Sequence, residues 1–341
     1  MSSTQTRGLV LGKFLPPHAG HLRLVRFAAA MVDRLDVIVG TLPTEPIPGE
    51  LRFAWMKELF PEATVHHLDE VLPAYPHEHP DFWELWKASL LRCLDGAPTH
   101  VFASEDYGAE LARVLGATFV PVTRPTSEED GPIAISGTEL RRDPWKHWHY
   151  LPDPVRLYFL RPIHIFGPES VGKSTLAANL AQEFESVWVP EYARTWLTRE
   201  GAPMDGELAR VTPQDMATIA RGHRASAMSL ERSANRRLFF DTDVLSTTLW
   251  SKTLVGSVPA VVTEMAALEE PDLTLLLDVD VPFVADSIRY LPEERQGFFR
   301  AFEDLLQSAS RPYLVLRGGF EERLAAAVDA VQALPPPDPL P

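Results

Sequence analysis

Short apolar runs alternate along the chain with longer segments whose apolar residues recur every three or four positions. In the first half, the runs predict five buried strands, at residues 8–12, 35–42, 63–68, 99–104 and 117–122. The segments between them predict helices, at residues 21–34, 51–60 and 81–94. Because strands that alternate with helices are typical of α/β domains, we expect a parallel sheet here.

The alternation starts again at residue 162 with a strand, a loop and a helix that ends at residue 184. Further strands are predicted at residues 186–190, 237–243, 273–280 and 312–318. Helices are predicted at residues 213–234, 243–253, 259–269, 293–309 and 320–333. We therefore expect a second parallel α/β sheet that is not a copy of the first.

Prolines interrupt this pattern within residues 148–162 and mark a domain boundary there. The pattern predicts one domain over residues 1–150 and another over residues 151–333. The tail, residues 334–341, reads LPPPDPLP and should be disordered, because proline can neither continue a helix nor pair in a central strand. A chain of 341 residues has room for about two such domains.

The overall charge is acidic, with 32 Lys and Arg against 47 Asp and Glu, a net charge of −15. This argues against a general nucleic-acid binder, but a nucleotide phosphate needs only a few local donors. No apolar stretch is long enough to span a membrane, and the N-terminal residues lack the apolar core of a signal peptide. Cys93 is the only cysteine, which excludes an internal disulfide and a cysteine-based metal site. We expect a reduced, cytoplasmic setting.

The segment GKFLPPHAGH at residues 12–21 lies between a predicted strand and a predicted helix. Gly12 and Gly20 allow the backbone to approach a ligand closely. The helix N-terminus presents free amide groups and the positive end of a dipole to an anion. His18 and His21 are three residues apart, so both imidazoles can face a phosphate group and donate hydrogen bonds to it.

This segment resembles the signature of the HxGH nucleotidyltransferase superfamily, which transfers a nucleotidyl group to a phosphate or similar acceptor. The second signature of that superfamily, ISxTxxR, is matched by ISGTELR at residues 135–141, where Ser136 and Glu139 predict a capping box. The resemblance implies an ATP site with Mg²⁺ and without a catalytic base, since a phosphate dianion is already a nucleophile. The implied catalytic residues are Lys13, His18, His21 and Arg141. The implied nucleotide-binding residues are Gly12, Phe14, Gly20, Ser104, Ser136 and Thr138.

The segment GPESVGKST at residues 167–175 follows an apolar run and opens a helix, which is the context of a Walker A loop. Its amide groups would surround phosphate oxygens, Lys173 would reach the β- and γ-phosphates, and Ser174 would bind Mg²⁺. The predicted nucleotide-binding residues are Gly167, Glu169, Ser170, Val171, Gly172, Ser174 and Thr175.

An alcohol acceptor would need a carboxylate to remove its proton, and several carboxylates follow predicted strands. We favour Asp241 for Mg²⁺ or the substrate hydroxyl and Asp243 for the substrate, although the two roles could be exchanged and either side chain could instead cap a helix. Glu191, Tyr192 and Arg194 follow another strand and are further substrate candidates. Arg289 and Arg295 lie in a segment, residues 286–300, that resembles the lid of P-loop kinases.

An HxGH domain followed by a P-loop kinase domain resembles NadR-type proteins, in which PEYAR and FFDTD occupy corresponding places. The resemblance implies a kinase that makes NMN from nicotinamide riboside and an adenylyltransferase that makes NAD from NMN, both with ATP and Mg²⁺. Some members carry a DNA-binding helix-turn-helix domain. Only seven residues precede the first predicted strand here, so we expect no such regulation. Pro168 makes the Walker loop stiffer than a glycine-rich version and should tune its affinity.

The resemblance also implies that aromatic side chains hold the nicotinamide ring. Candidates in the two domains are Trp55, Trp83, Trp86, Tyr107, Trp145, Tyr192 and Trp196. Residues 66–80 contain four histidines, but their spacing matches no zinc pattern, and we expect a solvated loop near the acceptor pocket. His223 is expected on the surface of its helix.

Two alternatives and one question stay open at this point. A fusion of an ATP sulfurylase with an adenylylsulfate kinase also joins an HxGH site to a P-loop, although 150 residues are short for a sulfurylase. A sensor that binds ATP or NAD without turnover would keep the same two loops. The sequence does not fix the oligomeric state, and a homo-oligomer is compatible with it.

Overall fold

The predicted strands form two five-stranded parallel sheets in a computed structural model that describes residues 5–123, 135–200, 211–284, 292–338 and 340. The first sheet contains β1 (Arg7–Gly12), β2 (Arg34–Gly40), β3 (Thr64–Leu68), β4 (His100–Ala103) and β5 (Thr118–Pro121). Its helices, within the described residues, are α1 (Ala19–Met31), α2 (Gly49–Leu59), α3 (Phe82–Cys93), α4 (Tyr107–Leu115), α5 (Gly137–Arg142) and α6 (Asp153–Arg156). The strand order is β3-β2-β1-β4-β5, and every neighbouring pair is parallel.

The second sheet contains β6 (Arg161–Phe166), β7 (Val187–Val189), β8 (Arg237–Asp241), β9 (Leu273–Leu277) and β10 (Tyr313–Leu316). The helices described around it are α7 (Lys173–Glu183), α8 (Tyr192–Leu197), α9 (Pro213–Leu230), α10 (Val244–Val255), α11 (Ala260–Ala266), α12 (Arg295–Ser308) and α13 (Phe320–Ala333). The strand order is β10-β9-β6-β8-β7, again with parallel neighbours. Short 3₁₀ turns lie at Pro76–Glu78, Trp148–Tyr150, Leu157–Phe159, Glu231–Ser233 and Pro292–Glu294.

The chain separates into two compact units. One unit comprises Met1–Tyr158 with Pro336–Pro341, and the other comprises Phe159–Pro335. In the first unit, the backbone amide of Leu340 donates a hydrogen bond of 2.9 Å to the carbonyl oxygen of Arg141.

The central strands of both sheets carry apolar side chains on both faces, because helices cover both faces of each sheet. Strand residues such as Val37, Ile38 and Val39 of β2 and Leu275 and Leu276 of β9 are fully buried. Such continuous apolar runs, rather than alternating ones, are what a parallel sheet buried on both faces requires. Among the helices of the described segments, none is both long and apolar enough to cross a bilayer.

The topology fixes where each site can form. In each sheet the chain's first strand, β1 or β6, lies in the middle and its neighbours continue to opposite sides. The loops after such strands diverge at the carboxyl edge and leave a crevice, which is the usual ligand position in open α/β sheets. The GKFLPPHAGH segment follows β1, and the Walker segment follows β6, so both lie at this crevice.

Two helices beside these crevices have no counterpart among the elements predicted from the sequence. They are α4 and α8, of nine and six residues. Segments this short hold few repeats of the apolar pattern, so periodicity alone does not distinguish them from loops.

Candidate functional sites

A cavity of about 710 Å³ opens at the carboxyl edge of the first sheet. Its wall contains all ten residues that the sequence assigned to the first site, from the loop after β1, the loop after β4 and the start of α5. They are Gly12, Lys13, Phe14, His18, Gly20, His21, Ser104, Ser136, Thr138 and Arg141. Residues separated by more than 120 positions in the sequence therefore meet around one space.

The two imidazoles of the first site lie against each other, with their ring planes tilted by 39°. His18 is the N-cap of α1, and its Nδ1 accepts a hydrogen bond of 3.1 Å from the backbone amide of Gly20. In neutral His18, the proton must therefore be on Nε2, which makes Nε2 a donor. The ring centroids of His18 and His21 are 3.8 Å apart, and the Phe14 ring meets His21 edge-on at 4.9 Å. The pair is thus held in place before any ligand arrives.

The second signature segment is tied to the first through Arg141. Ser136 and Glu139 form the predicted capping box, with the Glu139 amide 3.2 Å from Ser136 Oγ and the Ser136 amide 2.9 Å from Glu139 Oε2. Arg141 Nη1 donates a hydrogen bond of 2.8 Å to the carbonyl oxygen of Leu15. A Cβ on Gly137 would lie 2.8 Å from that same oxygen, so glycine allows α5 to approach the loop.

A buried ion pair beneath the first loop was not found from the sequence. Arg52 is fully buried, and its guanidinium donates to Glu45 Oε2 at 2.5 Å and to the carbonyl oxygen of Lys13 at 2.6 Å. Lys13 Nζ lies 3.1 Å from Glu45 Oε1. Burial would raise the pKa of Glu45, but the hydrogen bonds from the Leu42 amide, Lys13 and Arg52 outweigh it and lower that pKa. An arginine in an otherwise apolar stretch, RFAWM, was the available signal.

Of the five aromatic candidates in the first unit, three line the cavity. They are Trp83, Trp86 and Tyr107. Tyr107 donates a hydrogen bond of 2.7 Å from its hydroxyl to the carbonyl oxygen of Leu11, and burial raises its pKa. Trp55 and Trp145 are buried but do not belong to the cavity wall.

The four histidines of residues 66–80 do not form a metal cluster within the described residues. His66 and His67 lie on β3, where His66 Nε2 pairs with Asp36 at 2.8 Å and His67 Nε2 with Thr41 at 2.9 Å. His77 and His79 are exposed. Residues just before His77 in the sequence, among them Tyr75, line the first cavity.

A smaller cavity of about 160 Å³ lies at the carboxyl edge of the second sheet. The Walker loop forms one end of it and the start of α8 another part of its wall. The predicted residues that line it are Glu169, Ser170, Val171, Gly172, Lys173, Ser174, Thr175, Glu191, Tyr192 and Arg194. Gly167, Asp241, Asp243, Arg295 and Trp196 do not belong to that wall.

The Walker loop has the backbone that its sequence predicts. Gly167 and Gly172 have φ angles of +146° and +90°, which residues with side chains rarely adopt. A Cβ on Gly167 would lie 2.9 Å from the carbonyl oxygen of Leu277. Lys173 opens α7 and donates from Nζ to the carbonyl oxygen of Pro168 at 2.8 Å. The lysine therefore folds back over the loop it belongs to.

Two buried arginines hold the carbonyl groups of this loop. Arg295 Nη2 donates to the carbonyl oxygen of Ser170 at 3.2 Å, and both of its terminal nitrogens reach the carbonyl oxygen of Val281 at 3.1 Å. Arg323 Nη1 donates to the carbonyl oxygen of Val171 at 2.8 Å. The predicted lid residue Arg295 thus supports the loop backbone. Arg289 lies outside the described residues.

Asp241 is buried at the end of β8, behind the Walker loop. The Ser174 side chain, the Glu191 backbone amide, Lys173 and Arg194 surround its carboxylate, and all four favour the ionised form and so lower its pKa. Burial nevertheless raises its pKa. Its Oδ1 makes no hydrogen bond within the described part of the chain. A hydroxyl beside a carboxylate oxygen left without a partner is a donor set that suits Mg²⁺.

Asp243, two residues further, faces a different environment. It is the N-cap of α10, where its carboxylate accepts from the Ser246 amide at 2.9 Å. Its other oxygen pairs with His164 Nδ1 at 2.7 Å and with Arg311. The helix-capping alternative left open by the sequence is the arrangement observed, and Asp243 does not reach the cavity.

Glu269 adds a second carboxylate to the buried cluster of Asp243, His164 and Arg311. Ligand atoms of His164, Asp243 and Glu269 lie within 4.8 Å of one another. Burial and the Asp243 charge raise the pKa of Glu269 to about 9. Because the Arg311 guanidinium already supplies a positive charge there, the cluster gives a metal ion little attraction.

The prediction for His223 is wrong, because its side chain is only 3% exposed and belongs to the wall of the second cavity. The sequence did carry a signal. Met216, Ile219 and His223 follow one another at helical spacing, so an apolar stripe of α9 includes the histidine. On the preceding residue, Gly222, a Cβ would lie 2.0 Å from the ring of Tyr192, so only a glycine leaves room for that ring.

Trp196, the other aromatic candidate of this unit, is occupied elsewhere. Its Nε1 donates to Asp215 Oδ1 at 2.9 Å, and the Arg199 guanidinium lies 3.4 Å from the ring centroid. Tyr192 alone of these two candidates therefore lines the cavity.

Comparison with known proteins gives one match to a domain family and several relatives that align with nearly the whole of this chain. Residues 162–323 match an AAA domain family, and this range contains the Walker loop. The chain is 27% identical over 355 residues to the trifunctional NAD biosynthesis/regulator protein NadR of Escherichia coli, which covers 97% of this chain and 83% of the relative. The NadR of Salmonella typhimurium is also 27% identical, over 96% of this chain and 83% of its own length.

Two solved NadR structures have a fold similar to that of this chain. A crystal structure of a NadR protein in complex with NR has a TM-score of 0.78 at 22% identity and covers 96% of this chain and 95% of its own. A second, of a NadR protein in complex with NAD and AMP-PNP, has a TM-score of 0.76 at 22% identity and covers 96% of each chain. Across both units and nearly its whole length, this chain is therefore NadR-like.

Proposed function

We propose that the protein is a bifunctional enzyme of NAD biosynthesis. Its second unit, a P-loop kinase, phosphorylates nicotinamide riboside with ATP and gives NMN. Its first unit, an HxGH nucleotidyltransferase, transfers the adenylyl group of a second ATP to NMN and gives NAD and pyrophosphate. Similarity to NadR proteins over nearly the whole chain supports the pairing, as do the ligands NR, NAD and AMP-PNP of the two NadR crystals.

One observation carries this proposal. Each sheet has its own cavity at its carboxyl edge, and each cavity is lined by a different group of residues predicted to bind phosphate. The first has two adjacent imidazoles at a helix N-terminus, and the second has a lysine-bearing loop with a carboxylate behind it. Two sites with different chemistry fit two successive reactions, in which the product of the kinase is the substrate of the adenylyltransferase.

Adenylyl transfer needs alignment and charge neutralisation more than proton transfer. A phosphate oxygen of NMN attacks the α-phosphorus of ATP, and the bond to the β-phosphate oxygen breaks to release pyrophosphate. His18 Nε2 is the donor of its ring, so it can hydrogen-bond a phosphate oxygen as charge develops there. Arg141 and Lys13 line the same cavity and add positive charge. Mg²⁺, when bound, would further neutralise the departing pyrophosphate.

The kinase reaction needs a base and a metal site. The riboside hydroxyl attacks the γ-phosphorus, ADP leaves, and the hydroxyl proton passes to a carboxylate. Glu191 lines the cavity, and burial together with the nearby Asp241 raises its pKa, which suits a general base. Asp241 and Ser174 would hold Mg²⁺, which supplies charge neutralisation to the phosphates. Lys173 would leave the Pro168 carbonyl to contact the β- and γ-phosphates.

The test is incubation of the purified protein with nicotinamide riboside and Mg-ATP, with NMN and NAD followed by chromatography. We expect NMN to form first and NAD to follow with equal pyrophosphate release. Sulfate-dependent pyrophosphate release would instead support the sulfurylase–kinase alternative. Binding of ATP without NMN or NAD at any Mg²⁺ concentration would support the sensor. ATP as co-substrate and the single cysteine are consistent with a cytoplasmic enzyme, which we include in the proposal.

A further inference from the structure

A buried histidine of the second cavity has no role in the phosphate chemistry described above. His223 lies on α9, and its ring centroid is 6.0 Å from that of Phe240 on β8. Its Nε2 is buried and has no hydrogen-bond partner among the described residues. A buried polar atom without a partner destabilises the fold, so its presence in a cavity wall points to a partner that arrives with the ligand.

The environment keeps this imidazole uncharged. Burial lowers the pKa of His223 to about 4; the nearby His164 lowers it further, and Asp243 opposes the shift. A neutral imidazole offers one N–H donor and one nitrogen acceptor. The neutral imidazole of His223 therefore suits an uncharged polar group that can act as a hydrogen-bond donor or acceptor.

The walls around His223 describe the rest of that ligand. Met216 and Ile219 share the α9 stripe, and Trp250 and Leu254 of α10 line the cavity with them. Tyr192 completes this part of the wall, close against Gly222. The Walker loop forms a separate, phosphate-binding part. Ser246 and Thr247 also line the cavity, but their hydroxyls already donate to the carbonyl oxygen of Asp243. Apolar and aromatic walls beside a buried nitrogen that has no partner in the described residues suit a flat heteroaromatic ring with a polar substituent.

We propose that His223 Nε2 hydrogen-bonds to the polar substituent of the acceptor's heteroaromatic ring and so makes the kinase selective for ribosides that carry it. The inference rests on the proposed function, in which the acceptor is nicotinamide riboside and the substituent is its carboxamide. His223 is then a specificity residue for the acceptor and takes no part in ATP binding.

The test compares two acceptors in two enzymes: nicotinamide riboside and the riboside of unsubstituted pyridine, with the wild type and His223→Phe. We expect the wild type to prefer the carboxamide by roughly 10-fold to 100-fold in kcat/KM, and His223→Phe to reduce that preference to near unity. The KM for ATP should stay unchanged. His223→Gln, which keeps a donor and an acceptor, should retain much of the preference.

The outcomes separate a recognition role from a structural one. Equal loss with both acceptors in His223→Phe, or an unchanged preference, would overturn the assignment, because a packing defect does not distinguish two ligands that differ in one group. A wild type that already shows no preference would overturn it too. His223→Leu repeats the comparison should His223→Phe fail to fold. If the wild type phosphorylates neither riboside, the proposed kinase function itself fails. That result differs from the outcomes above, in which the enzyme is active but His223 does not select the acceptor.

Discussion

Arg323 donates a hydrogen bond of 2.8 Å to the carbonyl oxygen of Val171, although 152 residues separate the two in the sequence. Its other terminal nitrogen donates to the carbonyl oxygen of Asp278 at 2.9 Å. Arg323 is 1% exposed, so these bonds are shielded from water. Arg323 therefore fixes the orientation of one carbonyl group of the Walker loop, whose amides we propose bind a phosphate group.

Replacement of Arg323 by Met should therefore weaken ATP binding by the kinase. Loss of the buried hydrogen bonds frees the loop backbone, and we expect kcat/KM for ATP to fall by roughly 10-fold to 100-fold. Adenylyl transfer from ATP to NMN should be unaffected. Arg317→Met is the matched control, since Arg317 is exposed and pairs only with Asp278 among the contacts described. Equal effects of the two variants would contradict the role given to Arg323.

His18→Ala and Lys173→Ala should affect opposite reactions. Loss of the His18 donor removes a hydrogen bond that strengthens as pyrophosphate leaves, so NAD formation from NMN should fall by about 100-fold to 1000-fold. Riboside phosphorylation should stay within about twofold of wild type. Lys173→Ala should abolish phosphorylation and spare NAD formation. The exposed His149 provides a control substitution, His149→Ala, which should change neither rate. If either variant loses both activities equally, the reactions do not have separate sites.

Asp241→Asn and Asp243→Asn should separate catalysis from stability. For Asp241→Asn we expect kcat of the kinase to fall at least ~100-fold with little change in ATP affinity, since a metal site is worth several kcal/mol to the transition state. Its thermal midpoint should stay the same or rise, because burial disfavours the charged carboxylate. Asp243→Asn removes the nearer of the two carboxylates that face buried Arg311, the other being Glu269 at 4.0 Å, and should lower the unfolding free energy by up to about 3–5 kcal/mol. Kinase kinetics at varied Mg²⁺ concentration measure the first effect, and thermal unfolding measures the second. If Asp243→Asn lost kcat and Asp241→Asn lost stability, the two roles would have to be exchanged.

The raised pKa of Glu269 predicts a pH-dependent stability. The folded protein holds this carboxyl group protonated up to about pH 9, whereas in the unfolded chain it ionises near its ordinary value of 4.5. The folded state therefore binds the proton more tightly, and stability is lost as pH rises between these two values. Glu269→Gln, which is neutral at every pH, should be more stable than wild type at pH 8 and should flatten the dependence of stability on pH. Glu270→Gln, at the exposed neighbouring residue, should leave the wild-type slope intact; the same slope in Glu269→Gln would contradict the assignment.

Gly222→Ala should displace Tyr192 from the second cavity. The added methyl group would lie 2.0 Å from the tyrosine ring, so the ring or the helix must move. We expect KM for the riboside to rise by roughly 5-fold to 50-fold, in line with the 1–3 kcal/mol cost of overpacking, while KM for ATP changes little. Gly297→Ala is the control, because its Cβ on α12 would meet only the Glu294 carboxylate at 3.7 Å. An unchanged riboside KM in Gly222→Ala would show that the position of Tyr192 does not matter for this substrate.

Local features of the sequence determined much of the two sites. The GKFLPPHAGH and GPESVGKST segments combine a strand, a glycine-bearing loop and a helix N-terminus within a few residues, so their geometry depends on backbone rules that act over short distances. Similarly, the capping box at Ser136 needs only residues up to Glu139. The alternating pattern likewise predicted the positions of all ten strands along the chain, because most of them are short apolar runs between helical segments.

The tertiary structure decided what each polar side chain near those loops does. Asp241 and Asp243 are two residues apart and look alike in sequence, yet one lies behind the Walker loop and the other caps α10 against His164 and Arg311. His223 and Arg323 became part of the second site only when α9 and α13 packed on its sheet. Their partners lie far away in the sequence, and burial, which sets the energy of a polar contact, is a property of the packed chain and not of any short segment.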